Sequence, residues 1–409
     1  MTGALERLGA RRGLPSVCSS HPLVLRAAIR AGLRAEGPVL IEATCNQVNH
    51  RGGYTRLDPT RFAGRVRAIA ADEGLPQARQ LLGGDHLGPN PWRDRSVDEA
   101  MDEAETMVRA YAAAGFRKLH LDCSMGCAGE PEALGDVETA RRAARLAAAA
   151  EEVAEVPPLY VIGTEVPPPG GADHALDSVT PTDPDAAWRT YEIHRETFAA
   201  AGLSDAFGRV VALVVQPGVE FGNRNVIRYD PGPAEGLSAV LGDMPGLVFE
   251  AHSTDYQGEA PLAALVRDGF VILKVGPELT FALREALYGL DALASDLVRG
   301  YGERPLRGVM ERLMVADPSD WERHYGEPDT YWLRHHSLSD RIRYYWDRTE
   351  ARAAVARLTE VLRGRALPLP LIWQHLPWAE GMEDADPDEI VIARVGRSLD
   401  AYQRACAPG

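Results

Sequence analysis

Eight short apolar runs, rich in Val, Ile and Leu, divide the chain at residues 14–19, 39–44, 80–85, 118–123, 159–165, 210–216, 247–252 and 270–275. Their starts lie roughly 25 to 50 residues apart, the spacing of repeated β-α units. The runs are nearly continuous rather than alternating polar and apolar, the pattern of parallel strands covered on both faces. The stretches between them carry helix signals. Ser96 can cap a helix whose third residue is Glu99, which makes a capping box, and Gly115 is a natural stop. Asp183-Pro184 opens another helix that stops at Gly202, with the proline where a missing N–H costs nothing. Eight such units predict an α/β fold, a closed (β/α)8 TIM barrel over residues 1–300. An open, doubly wound sheet is the alternative. Beyond residue 300 the pattern becomes aromatic and helical (Trp321, Tyr325, Tyr331, Trp332, Tyr344, Tyr345, Trp346). It predicts a C-terminal helical extension over 301–409, packed on the barrel or serving as a cap or as the contact of a homo-oligomer.

Charge narrows the function. Lys and Arg number 44 against 59 Asp and Glu, a formal net charge of −15. That argues against nucleic-acid binding, which rests on basic surface, and against an anionic membrane surface. A small anion is not excluded, because backbone amides or one Lys can hold a phosphate. No apolar run approaches the roughly 20 residues of a membrane span, and the N-terminus lacks the pattern of a signal peptide. Five cysteines, an odd number in a long chain, fit reduced thiols in a cytoplasm.

The strand ends carry the chemistry. Nearly every run finishes in polar residues: Cys18-Ser-Ser-His21, Glu42-Ala-Thr44, Asp85-His86, Asp122-Cys-Ser124, Thr164-Glu165, Gln216, Glu250-Ala-His252 and Lys274. In a barrel these ends line the active face. Asp85-His86 pairs an acid with an imidazole and suits a metal ligand beside a proton carrier; a structural hydrogen-bonded pair is the alternative. His252, ending another strand, can converge with His86 on one divalent metal such as zinc. Glu165 is the candidate carboxylate and Gln216 the neutral oxygen ligand, unless both merely orient neighbours. Asn46, Asn49 and Asn90 lie in turns, and their amides suit sugar hydroxyls. A Lys274 facing the barrel interior needs a partner or a substrate. Ser253, Thr254 and the amide of Gly276 follow strands seven and eight, the usual phosphate site of a barrel. The loop 166–171, Val-Pro-Pro-Pro-Gly-Gly, is either a lid or a plain connection. His120, inside the fourth run, reads as a core or lining residue. Arg341-Ile-Arg343-Tyr-Tyr-Trp346 reads as packing or surface contact.

Nine motifs then resemble one family over nearly the whole chain. They include Ser16-Val-Cys-Ser-Ser-His-Pro22, Ile41-Glu-Ala-Thr-Cys-Asn-Gln-Val-Asn49, Gly83-Gly-Asp-His-Leu-Gly-Pro-Asn90, Leu119-His-Leu-Asp-Cys-Ser-Met125, Glu250-Ala-His-Ser-Thr-Asp-Tyr-Gln257 and Ser337-Leu-Ser-Asp-Arg-Ile-Arg-Tyr-Tyr-Trp346. The family is the GatZ/KbaZ accessory subunits of tagatose-bisphosphate aldolase. Its members carry three labels: noncatalytic partners of a class II aldolase, sugar-phosphate kinases, and 4-epimerases linking tagatose 6-phosphate and fructose 6-phosphate. The chain has no Gly-rich loop of the Walker type, which weighs against the kinase label.

The resemblance implies a fold like that of the metal-dependent class II aldolases. Asp85-His86 matches their pair in which Asp handles protons and His binds zinc. His252 matches a later zinc His, and Lys274-Val-Gly276 lies where they hold substrate and phosphate. The departure is at the sixth strand. A zinc His is expected there, and this chain has Gln216-Pro-Gly218. The metal site is either rebuilt with Gln216 or Glu165 or absent. The expected function is a zinc-type metalloenzyme that epimerises a ketohexose phosphate at C4 by retro-aldol chemistry. Asp85 or Glu165 would move protons, while Asn46, Asn49, Asn90, Asp122 and Lys274 would hold the substrate. The alternative is a noncatalytic partner that stabilises a separate class II aldolase subunit.

Overall fold

The computed structural model describes residues 12–164, 178–326 and 330–407. Eight parallel strands close a barrel in chain order. They are β1 (Leu14–Cys18), β2 (Val39–Thr44), β3 (Gln80–Leu87), β4 (Lys118–Leu121), β5 (Leu159–Ile162), β6 (Val210–Val215), β7 (Val248–Ala251) and β8 (Phe270–Val275). Closure is made by β8 against β1, with Ser16 beside Lys274 and Val17 beside Val275. All eight apolar runs are strands. Most are shorter than the runs themselves, because the polar residue at the end leaves the ladder to bond its own loop. Asp122, for example, accepts from the Ser124 amide and hydroxyl. β3 goes the other way and reaches Leu87. Glu165 and the loop 166–171 lie outside the described residues.

Side chains alternate along each strand, and the barrel interior has two levels. Leu14, Leu40, Leu81, Val161, Ala212 and Ile272 form an apolar cluster separate from the larger one under the helices. Two residues further along these strands the inward positions turn polar: Ser16, Glu42, Lys274. Gly83 stands in register between Glu42 and Lys118. A Cβ there would lie 2.3 Å from Glu42 Oε1, so only glycine lets this carboxylate cross the barrel.

The helix signals hold. Val97–Ala113 carries the full Ser96/Glu99 capping box, and Pro184–Ala200 is capped by Asp183. The last helix, Pro387–Ala405, packs against the helices Pro22–Arg34, Glu259–Arg267 and Pro277–Leu297. From it, Tyr402 donates its hydroxyl to the Thr254 carbonyl at 2.7 Å. No helix among the described residues is long and apolar enough to cross a membrane.

The stretch 337–347 bends back over the strand C-termini. Tyr256 donates to Leu338 O (2.6 Å), and Ser339 donates to Asn223 Oδ1 (2.6 Å). Arg284 pairs with Asp340 at 2.8 Å, both essentially unexposed. Asp340 itself is left-handed, at φ 46°.

Tyr402→Phe should destabilise the fold by about 1–3 kcal/mol, since it strands the buried Thr254 carbonyl. Urea unfolding at constant m-value measures this. A midpoint equal to that of the parent chain would mean that the last helix does not hold the β7 loop.

Candidate functional site

Inside the polar level the barrel holds a network of charges. Lys118 is fully buried and lies 2.6 Å from Glu42 and 2.7 Å from Glu250. Lys274 reaches Glu42 at 2.8 Å, Glu250 at 3.6 Å, and also Asp85. These two residues are the only lysines in the chain. Burying such charges costs several kcal/mol each, so each needs its partners. Lys274 is therefore committed to carboxylates rather than to an open cleft. Cys18, Glu42 and Asp85 also cluster as metal-type donors, but burial pushes the Cys18 thiol pKa up, away from the thiolate that a metal takes.

Above this network three imidazoles meet. The rings of His86, His120 and His252 stand 4.9–5.2 Å apart. His86 Nδ1 bonds Asp122 at 2.7 Å, and its Nε2 faces Asp85 Oδ2 at 3.6 Å. His120 Nδ1 bonds Asp85 Oδ1 at 2.9 Å. His252 Nε2 bonds Glu250 at 3.1 Å. Burial and then Lys274 push the His252 pKa down to about 3, so this ring is neutral, with a lone pair to offer. For His86, burial pulls the pKa down, but Asp85 and Asp122 outweigh it and the net shift is upward. For Asp85, burial opposes ionisation, yet His86, Lys274 and His120 hold its carboxyl well below the usual range. His86 (φ 50°) and Ser253 (φ 53°) are both left-handed, a strained state for non-glycine residues that tends to mark functional sites.

Donor atoms of Asp85, His120, Glu250 and His252 lie within 4.8 Å of one another, all buried. Two imidazoles and two carboxylates suit zinc or a similar divalent ion. Two further facts fit a cation. His120 Nε2 is buried with no hydrogen-bond partner. The four carboxylates of Glu42, Asp85, Asp122 and Glu250 face only two ammonium groups, an excess of two negative charges before His86 is counted.

An open-mouthed cavity leads from these groups to the surface. Its walls include Asn46, Asp85, His86, His252, Ser253, Lys274 and Gly276, and from the tail Arg343, Tyr344, Trp346 and Asp347. Asp122 holds His86 from behind. Six expected residues are turned to other work. Gln216 Oε1 accepts from the Gly218 and Val219 amides. Asn49 braces its own loop through Cys45 O and the Arg51 and Gly53 amides. Asn90 hydrogen-bonds the Cys45 thiol. Thr254 donates to Lys274 O and is wholly buried. The Gly276 amide donates to Asp255 at 3.0 Å, and Ser253 hydrogen-bonds Glu220. Glu165 lies outside the described residues.

Sequence reasoning missed His120, Glu42, Glu250 and Lys118 as members of the site. The signal was present: Lys118, His120 and Asp122 alternate, as do Glu250 and His252, and alternation on a barrel strand aims residues inward together. Arg343 carried no local signal, because only the tertiary return of the tail brings it to the mouth.

Comparison with known proteins finds relatives over the whole length of the chain. The family model described as D-tagatose-1,6-bisphosphate aldolase subunit GatZ/KbaZ-like matches residues 3–407. A D-tagatose 6-phosphate 4-epimerase of Agrobacterium fabrum is 57% identical over 424 residues, covering 100% of each chain. The crystal structure of a probable tagatose 6 phosphate kinase from Sinorhizobium meliloti 1021 has a TM-score of 0.89 at 52% identity, covering 97% of this chain and 100% of that one. A fructuronate-tagaturonate epimerase from Cohnella laeviribosi shares the fold alone, with a TM-score of 0.52 at 13% identity over 96% of this chain and 81% of that one.

Two outcomes test the site. Lys118→Met leaves Glu42 and Glu250 with Lys274 as the one cation between them, and should cost about 3–5 kcal/mol. Adding Glu42→Gln should return part of that loss, and strict additivity in urea unfolding would refute the network. Asp255 tests linkage. Burial and then Glu278 push its carboxyl up from 3.8 to about 7. An acid raised on folding holds its proton more tightly in the native state, so stability falls as pH rises from about 4 to about 7. Asp255→Asn keeps the hydrogen bonds accepted from Gly276 and Glu278 and removes that decline. Its stability relative to the parent should therefore improve between pH 4.5 and 7.5. Parallel pH profiles would contradict the assignment.

Proposed function

Since the chain belongs to the GatZ/KbaZ-like family of D-tagatose-1,6-bisphosphate aldolase subunits, we propose that it interconverts tagatose 6-phosphate and fructose 6-phosphate by inverting C4. The observation that carries this reading is the joint presence, at the bottom of one cavity, of a proton-handling Asp85–His86–Asp122 chain and, beside it, the cation donors His120, Glu250 and His252. A noncatalytic barrel would gain nothing from keeping that much charge and strain together. The relative at 57% identity, named as a 4-epimerase, supports the substrate.

A divalent metal such as zinc, held by His120, Glu250 and His252 with Asp85 kept for the proton step, would supply Lewis-acid polarisation of the sugar's C2 carbonyl. The rest is the work of the chain. Asp85 Oδ1 is occupied by His120 and Lys274, which leaves Oδ2 to take the proton of the C4 hydroxyl. As the proton leaves, the C4 oxygen becomes a carbonyl and the C3–C4 bond breaks. Its electron pair stays on the three-carbon enediolate, and C4 becomes an aldehyde. The aldehyde turns within the cavity, the bond reforms on its other face, and the proton returns to the C4 oxygen. His86 Nε2, 3.6 Å from Asp85 Oδ2, is placed to share that proton. Asp122 orients His86 through Nδ1, and Asn46 faces the sugar hydroxyls. Glu165 remains the second candidate for the proton step. The negative charge of the whole chain does not oppose an anionic sugar, because the field at the mouth is set by the groups that line it. The five cysteines are all unpaired thiols, which supports a reducing compartment such as the cytoplasm.

Purified protein given fructose 6-phosphate and a divalent metal should yield tagatose 6-phosphate. In heavy water the product should carry no deuterium at C4, because the C4–H bond is never broken. Asp85→Asn should lower kcat by about 10²–10⁴-fold, the usual worth of a positioned acid or base. Absence of product with every divalent metal would end the epimerase reading. Solvent deuterium at C4 would replace retro-aldol cleavage with direct proton abstraction.

A further inference from the structure

The phosphate of the proposed substrate needs a cation, and the expected donors are already engaged. Thr254 is spent on the Lys274 carbonyl, and the Gly276 amide on Asp255. Among the cationic residue types on the cavity wall, Lys274 is enclosed by three carboxylates. His21 caps the helix Pro22–Arg34, with its pKa lowered to about 4 by burial and then Arg65. His86 and His252 sit at the bottom with the acids. Arg343 remains. It comes from the tail turn Arg341–Tyr345 and lines the same mouth. Among the described residues no carboxylate forms an ion pair with it, and Asp340, which acts on it at longer range, is itself paired with Arg284.

Its placement is prepared. The turn starts at left-handed Asp340, which Arg284 fixes through a buried ion pair. The guanidinium lies 4.4 Å from the centre of the Tyr344 ring. It donates to Tyr344 Oη at 2.8 Å and to Ser339 O. Tyr344 in turn stands edge-on to Tyr54, 4.7 Å between centroids. Two of the five guanidinium N–H groups are thus used to hold the side chain, and three remain for a ligand. Beside it, Trp346 lines the mouth while its indole N–H is buried without an acceptor. Asp347, on the same wall, has Arg56, Arg65 and Arg352 near it as counter-charges.

We infer that Arg343, delivered by the C-terminal tail, is the specificity-determining residue that grips the phosphate of the sugar. This rests on the reading of the substrate as a ketohexose phosphate. The carbonyl end goes down to the histidine cluster, and the phosphate end stays at the mouth under the tail. The tail is thereby part of the site. A planar guanidinium with several N–H groups to offer is suited to a phosphate in a way that a lysine is not.

The test compares the parent chain with Arg343→Gln and Arg343→Lys, each checked for an unchanged melting transition. Arg343→Gln should raise KM for fructose 6-phosphate by about 10- to 150-fold, the worth of charged hydrogen bonds, with kcat within about threefold. The preference for fructose 6-phosphate over fructose should collapse by the same factor. Arg343→Lys, which keeps the charge but loses the fork, should fall between. Calorimetric binding of fructose 6-phosphate to the same proteins reads the contact without turnover. If the parent chain binds the sugar phosphate through Arg343 yet makes no epimer, the epimerase reading falls and this inference stands. If the parent chain is active and Arg343→Gln leaves KM and the phosphate preference unchanged, this inference is overturned. Equal losses with fructose and fructose 6-phosphate overturn it too, because they mark a structural role.

Discussion

Two ammonium groups buried among carboxylates organise the centre of this barrel. Lys118 joins β4 to β2 and β7 through Glu42 and Glu250, and Lys274 joins β8 to β2, β3 and β7. Five of the eight strands are thus tied across the axis by charge at one level, where a typical barrel interior is filled with branched apolar side chains. Such a network is a weak source of stability, since desolvation offsets most of its attraction. It is a strong source of specificity. A one-residue slip of any of these strands would turn its charge outward into the apolar layer beneath the helices. Gly83, with no side chain of its own, leaves the space in which Glu42 spans the barrel.

The network also sets the electrostatics one level up. The acids outnumber the lysines, so Asp85 and Glu250 face the histidines with charge to spare. Lys274 and burial keep His252 neutral while the acids keep His86 inclined to hold a proton. The same acids thus sit beside two histidines in opposite states, within 5 Å of each other. That division, a lone-pair donor beside a proton carrier, is what carbonyl activation coupled to proton transfer requires.

The fold was legible because β-α periodicity is a local property, repeated eight times. The helix caps at Ser96 and Asp183 were legible for the same reason. Asp85, His86 and His252 stood out because they end strands. Lys118 and His120 did not, since a lone polar residue within an apolar run reads as packing until its neighbours across the barrel are known. The roles expected of Gln216, Asn49 and Thr254 followed from residue type at a strand end or turn. Each can bond either a ligand or its own loop, and the loop amides and carbonyls here are nearer. Arg343 was illegible because it reaches the mouth through a return of the chain fixed by Arg284, Tyr256 and Asn223, contacts 56 to 116 residues apart in sequence.

Placing both lysines in the barrel core has a consequence for the outside of the molecule. The remaining basic side chains are all arginines, so the folded surface presents guanidinium groups and no lysine amine. Lysine-modifying enzymes find no lysine on that surface, and Lys118 meets a reagent only when the barrel opens. Modification of Lys118 is therefore a record of unfolding, written covalently at a position whose charge ties β2, β4 and β7 together.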